Sequence, residues 1–104
     1  MDNRPISEIR AEVGYRWAKA HAAASRLEEG KSAFLEKRKL VLGDIPNNRA
    51  EMLVKASPEW SDYIKAMVDA KELANTLRIE MEYWDMKFSE WQSAAADNRV
   101  TARL

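Results

Sequence analysis

The chain has no cysteine, one histidine, three glycines and three prolines in 104 residues. Without cysteine there is no disulfide and no thiolate metal site, so a fold of this size has to rest on packing or on partners. The single histidine, His21, sits among alanines. It supplies neither the nucleophile–base–acid grouping of acyl transfer nor the Glu-x-x-His pairs of metal-binding bundles. Three isolated glycines build no phosphate-cradling loop. Glu80 and Glu82 stand two apart and point in different directions on a helix, and Glu28-Glu29 reads as a solvated pair. We therefore expect no enzymatic activity, no cofactor and no metal. No apolar run approaches the roughly 20 residues that span a bilayer, and Met1-Asp2-Asn3-Arg4-Pro5 lacks an apolar signal core. The expectation is a cytoplasmic protein with no membrane partner. Net charge is also missing: 17 Lys and Arg balance 17 Asp and Glu.

What is present is periodicity. Trp60, Tyr63, Met67, Ala70, Ala74, Leu77, Met81, Trp84, Phe88, Trp91 and Ala95 alternate three and four apart, and all are apolar or aromatic although 33% of the chain is charged. That alternation is the seam of a long helix packed lengthwise on another. It predicts a helix over about 58–96, about 60 Å long at 1.5 Å per residue. Ile6, Val13, Ala20, Leu27, Phe34 and Val41 recur every seven residues and predict a first helix over about 6–41. Its companion stripe is poorer: Arg10, Trp17, Ala24, Lys31 and Arg38.

Between the helices, Gly43 suits a left-handed cap and Pro46 stops continuation. Asn48 followed by Glu51 reads as a capping box opening a short helix over about 49–56, with Met52 and Leu53 as its apolar contacts. Ser57-Pro58-Glu59 is a second start signal. After Ala96 the pattern is lost, and 97–104 is expected to fray.

Two long helices joined this closely fold back on each other. The fold class is all-α: one domain, 1–104, an antiparallel coiled-coil-like hairpin with a short connecting helix. Setting Val41 beside Trp60 places Trp17 opposite Trp84, Ala20 opposite Met81 and Phe34 opposite Met67. Small residues then face large ones. Ile64, Val68, Leu73, Ile79 and Met86 widen the apolar surface of the second helix. A partner stripe carrying Lys31 and Arg38 cannot cover it, which predicts a homo-oligomer, either a four-helix dimer or a higher ring. Trp60, Tyr63, Met67, Leu77, Met81, Trp84, Phe88 and Trp91 are its core and oligomer seam.

Charge is uneven. Residues 1–57 hold eleven Lys and Arg against eight Asp and Glu (+3), and residues 58–96 hold four against eight (−4). The first helix ends in Lys37-Arg38-Lys39, and Lys31, Arg49 and Lys55 are expected near that tip. These six are the candidate nucleic-acid contacts, although cations are favoured at a helix C-terminus by the dipole alone. Copied around an oligomer, the patch could grip a phosphate backbone with strong salt dependence. The tryptophans could stack on bases, but at strict helical spacing they read first as core.

Several short stretches carry a resemblance: Arg49-Ala50-Glu51-Met52-Leu53, Ser57-Pro58-Glu59-Trp60, and Ala74, Leu77, Arg78 and Glu82 at their spacing. They follow a first helix with Tyr15 and Trp17 and a basic end. In this the chain resembles small helical accessory proteins that phages encode beside recombination genes, in particular recombination mediators of the UvsY type. The resemblance implies an oligomer in the host cytoplasm that binds single-stranded DNA. It also implies a role in loading a recombinase onto strands coated by a single-strand-binding protein. Lys37, Arg38 and Lys39 would then be the DNA contacts. The chain departs from that family in being shorter, neutral overall and without an extended basic C-terminal region. The alternative expectation is a protein-interaction module (chaperone, adaptor or inhibitor) that offers an apolar helical surface and binds no nucleic acid.

Overall fold

The computed structural model describes residues Asn3–Arg103. They form three helices, α1 (Ile6–Val41), α2 (Asn47–Lys55) and α3 (Pro58–Arg103), with α1 and α3 as the arms of an antiparallel hairpin. Among the described residues there is no strand, and no helix is long and apolar enough to cross a membrane.

The turn after α1 follows from its residues. The last turn tightens, with the Leu42 N–H donating to the Lys39 carbonyl at 3.1 Å and Gly43 to Leu40 at 3.2 Å. Gly43 then takes a φ of 85°, a left-handed conformation that costs glycine nothing. Pro46, at φ −54° and ψ 139°, leads the chain into α2, and its carbonyl accepts the first helical bond from Ala50 N–H at 2.9 Å.

This places the start of α2 at Asn47, two residues before the expected one, and the expected capping box does not form. The Asn48 carboxamide accepts from the adjacent Arg49 N–H instead, at 2.9 Å. The earlier start also changes the inward face. Ala50 and Val54, four apart, are the buried residues of α2, while Met52 and Leu53 are exposed. Ser57 does cap α3: its hydroxyl accepts from Trp60 N–H at 3.3 Å while donating to the Val54 carbonyl, and its carbonyl accepts from Ser61 N–H. One side chain thus closes α2 and opens α3.

α3 continues to Arg103 where a frayed tail over 97–104 was expected; Leu104 lies outside the described residues. Loss of the apolar seam does not by itself end a helix. From Ala94 onward the chain has no glycine or proline, and alanine and arginine favour the helix.

Contacts gather into two compact units. In the first, Ala20–Ala74, the core holds Ala20, Ala24, Ala50, Val54, Met67 and Ala74. Phe34 stacks on Tyr63 with ring centroids 4.5 Å apart and lies 6.3 Å from the Trp60 ring. The Tyr63 hydroxyl donates across the helices to the Leu27 carbonyl. Gly30 makes room for it, since a Cβ there would lie 3.0 Å from that oxygen. Lys71 pairs with Glu28, and Arg38 with Glu59 at 3.5 Å.

These contacts correct the expected register. Phe34 was to face Met67 and Val41 to lie beside Trp60. Phe34 stacks instead on Tyr63, one helical turn earlier in α3, and Val41 is 73% exposed. The ring stack and the notch at Gly30 fix the alignment, and the turn takes more chain than a closure at Val41 allows.

The other unit joins α1 as far as Lys19 to α3 from Asn75 onward. Ile9, Val13 and Leu77 are its buried residues, and Arg10 reaches Asp85 at 2.6 Å. Along α3, Tyr83 is edge-on to Trp84, and Phe88 is stacked on Trp91. The Trp84 indole N–H is buried with no hydrogen-bond partner.

Candidate nucleic-acid interface and apolar surface

The six basic residues do not form one open patch. Arg38 is half-buried and pairs with Glu59 across to α3. Lys39 lays its stem along a cavity of about 180 Å³ lined by Leu40, Gly43, Ile45 and Ala50, leaving 10% of its side chain exposed, and its ammonium meets Glu36 at 3.1 Å. Lys55 meets Glu51 at 2.8 Å, a hydrogen bond that holds the Glu51 carboxyl below its ordinary value. Lys31, Lys37 and Arg49 are exposed. At 100° per residue Lys37 and Lys39 stand on opposite sides of α1. A cationic run in sequence is therefore split around a helix in space, and three of the six candidate cations are held by carboxylates.

The surface around the turn is more apolar than its sequence suggested. Leu40 is 79% exposed, Val41 and Leu42 are exposed next to it in the chain, and Met52 and Leu53 are exposed on α2. The signal was there in Leu40-Val41-Leu42. Assigning Met52 and Leu53 to the core of α2 and Val41 to the seam hid it.

The expected seam residues fall in three classes. Met67 and Leu77 are buried; Trp60, Tyr63, Met81, Trp84 and Phe88 are half-buried; Trp91 is exposed. Among the flanking residues Ile64 is half-buried, whereas Val68, Leu73, Ile79 and Met86 are exposed. Ile79, Tyr83 and Met86 are all exposed at spacing i, i+4 and i+7, so they share one outer face of α3.

One cavity was not foreseen. Arg4, Pro5, Ile6 and Ser7, at the start of α1, and Phe88 and Trp91 of α3 surround about 300 Å³. In an antiparallel hairpin the first residues of one arm meet the last seam residues of the other. Arg4-Pro5 beside Trp91 could have been found that way.

Compared with family models, curated proteins and solved structures, the chain gives no match.

Proposed function

We propose that the protein is a non-enzymatic helical hairpin that assembles through its uncovered apolar surface and serves as an accessory in DNA recombination or replication. The carrying observation is that closing the hairpin leaves large apolar side chains in water. Leu40, Val41, Met52 and Leu53 lie uncovered around the turn, and Ile79, Tyr83 and Met86 along α3. Each such side chain gains about 1.5–3 kcal/mol when fully buried, and contiguous apolar faces of this kind mark contact with another chain. In an assembly the exposed Lys31, Lys37 and Arg49 of each copy would be repeated. Repetition raises affinity for the phosphate backbone of a single strand and makes it salt-dependent.

The neutralised cations favour a second reading, a protein-interaction module that binds no nucleic acid. Arg38, Lys39 and Lys55 already have carboxylate partners, and apolar residues rather than cations dominate the turn. Sedimentation and oligonucleotide binding separate the readings. The first expects a mass above one chain and a shift of labelled single-stranded DNA that fades with salt and with Lys37→Glu/Arg49→Glu. A single-chain mass in dilute solution contradicts assembly. Binding that ignores both salt and those substitutions contradicts the assignment to the turn.

A further inference from the structure

The two helices that flank the turn carry the same short pattern. On α1, Lys37 stands one turn ahead of Leu40 and Val41; on α2, Arg49 stands one turn ahead of Met52 and Leu53. At spacing i, i+3 and i+4 each trio shares one face of its helix, and all six residues are exposed. Each face is a pair of uncovered apolar side chains with a cation at its edge. Among the described residues neither Lys37 nor Arg49 has an ion-pair partner, whereas Arg38, Lys39 and Lys55 do.

The chain also contains the complement. On the outer face of α3, Ile79, Tyr83 and Met86 are exposed, and the exposed Glu80 stands one turn ahead of Tyr83. Glu82 and Glu90 are held by Arg78 and Lys87 of the same helix, and Asp85 by Arg10. The sign of each surface survives a full count. Residues 36–55 hold five Lys and Arg against three Asp and Glu (+2), and residues 75–96 hold two against four (−2). With the ion pairs set aside, Lys37 and Arg49 outweigh Asp44 around the turn, and Glu80 is the charge left within 75–96.

These signs choose between the ways in which copies can meet. Turn against turn sets cation beside cation, and α3 against α3 sets acid beside acid; like charges disfavour both. Turn against α3 brings unlike charges to the rim of one apolar contact. We propose that the surface around the turn of one copy docks on the Ile79–Tyr83–Met86 face of a second copy. The inference deepens the assembly reading above and rests on it, not on DNA binding. The two surfaces differ, so each copy offers one of each. The contact runs head to tail and closes into a ring or grows into a chain, rather than stopping at a symmetric dimer. Rim groups stay in reach of water, so Lys37 and Arg49 are not withdrawn from phosphate.

The test is sedimentation of two variants, alone and mixed. Leu40→Gln/Met52→Gln blunts the turn, and Ile79→Gln/Met86→Gln blunts α3. Glutamine favours the helix and all four positions are exposed, so circular dichroism should stay that of wild type. Wild type should sediment above one chain. Each variant alone should sediment as one chain and an equimolar mixture as two, because the intact α3 face of the first accepts the intact turn of the second. Either variant keeping the wild-type mass by itself would overturn the head-to-tail contact and leave assembly standing, as would a mixture that stays at one chain. A wild type that sediments as one chain would remove both. A second arm keeps every apolar side chain in place. Glu80→Lys and Lys37→Glu/Arg49→Glu should each lower the sedimenting mass at low salt, and mixing them should raise it again. A mixture no heavier than its parts would overturn the pairing of these surfaces.

Discussion

Two stretches of one apolar seam use their aromatic rings differently. In Ala20–Ala74, Phe34 reaches from α1 to stack on Tyr63 of α3, and the Tyr63 hydroxyl crosses back to the Leu27 carbonyl through a gap left by Gly30. Beyond Asn75, Tyr83 is edge-on to Trp84 and Phe88 stacks on Trp91, each pair within α3. One indole N–H there is buried without a partner, and another indole is open to water. Periodicity puts all these rings on one stripe. What separates Tyr63 from Trp91 is what the facing arm brings to each. Tyr63 meets a ring, a notch and a carbonyl and acts as a crosslink; Trp91, beside Arg4 and Pro5, stays exposed and available.

The comparison can be broken at several strengths. The hardest blow falls on the stripe itself. Leu77 is 8% exposed, and a carboxylate there has no partner, so Leu77→Asp should cost about 4–5 kcal/mol. Helicity and any assembly should be lost together, read by circular dichroism and sedimentation. A variant that keeps both would show that the stripe is not what holds the arms.

A sharper contrast sets one tryptophan against another. Trp60→Ala should cost about 2–4 kcal/mol, because it empties one side of the Phe34–Tyr63 cluster. Trp91→Ala, at a side chain 58% exposed, should cost about 1 kcal/mol or less. Equal losses in urea melts would erase the distinction between crosslinking and available rings.

The notch gives a smaller, signed effect. Alanine ordinarily stabilises a helix interior over glycine by about 1 kcal/mol. At position 30 its Cβ would press on the Tyr63 hydroxyl, so Gly30→Ala should gain little in wild type and the full amount in a Tyr63→Phe background. The cycle should show a coupling of about 1 kcal/mol; strictly additive values would mean that the hydroxyl does not occupy the gap.

The smallest effects are at the exposed ion pairs. The hydrogen bond from Lys71 holds the Glu28 carboxyl below its ordinary value of 4.5. The folded chain therefore binds this proton less readily than the unfolded one. The pair adds stability above that value and loses it as pH falls through the lower folded value. Glu28→Gln should shallow the acid limb of the stability curve by lowering stability slightly at neutral pH and leaving it unchanged at the acid end. The Arg10–Asp85 pair is exposed on both sides, and Arg10→Met should shift stability by about 0.2–1 kcal/mol, less in salt.

The arms and their connection are legible in the sequence because local signals suffice for them. Gly43 and Pro46 end one helix, Ser57-Pro58 opens another, and the three–four alternation names the inward face. The register is not legible, because it depends on which of two neighbouring turns of α3 meets Phe34. That is settled by a gap at Gly30 which a hydropathy pattern does not contain. The basic run misleads for a related reason. Lys37, Arg38 and Lys39 are adjacent in sequence but 100° apart on the helix, and the acids Glu36 and Glu59 that hold two of them come from different places in the chain. The cavity at Trp91 requires residues 4–7 and 88–91 at once, and only the pairing of the arms supplies that.

Gly43 carries one further consequence. No atom lies within 4 Å of where its Cβ would stand, so handedness alone, and not crowding, excludes other residues from it. A chain of 104 residues is within reach of chemical ligation. D-alanine at that bend would match the backbone that L-alanine strains, and by curbing the freedom of the unfolded chain it should raise stability by roughly 0.4–1 kcal/mol. A mirror-image building block would then be the preferred residue at one point of a natural polypeptide.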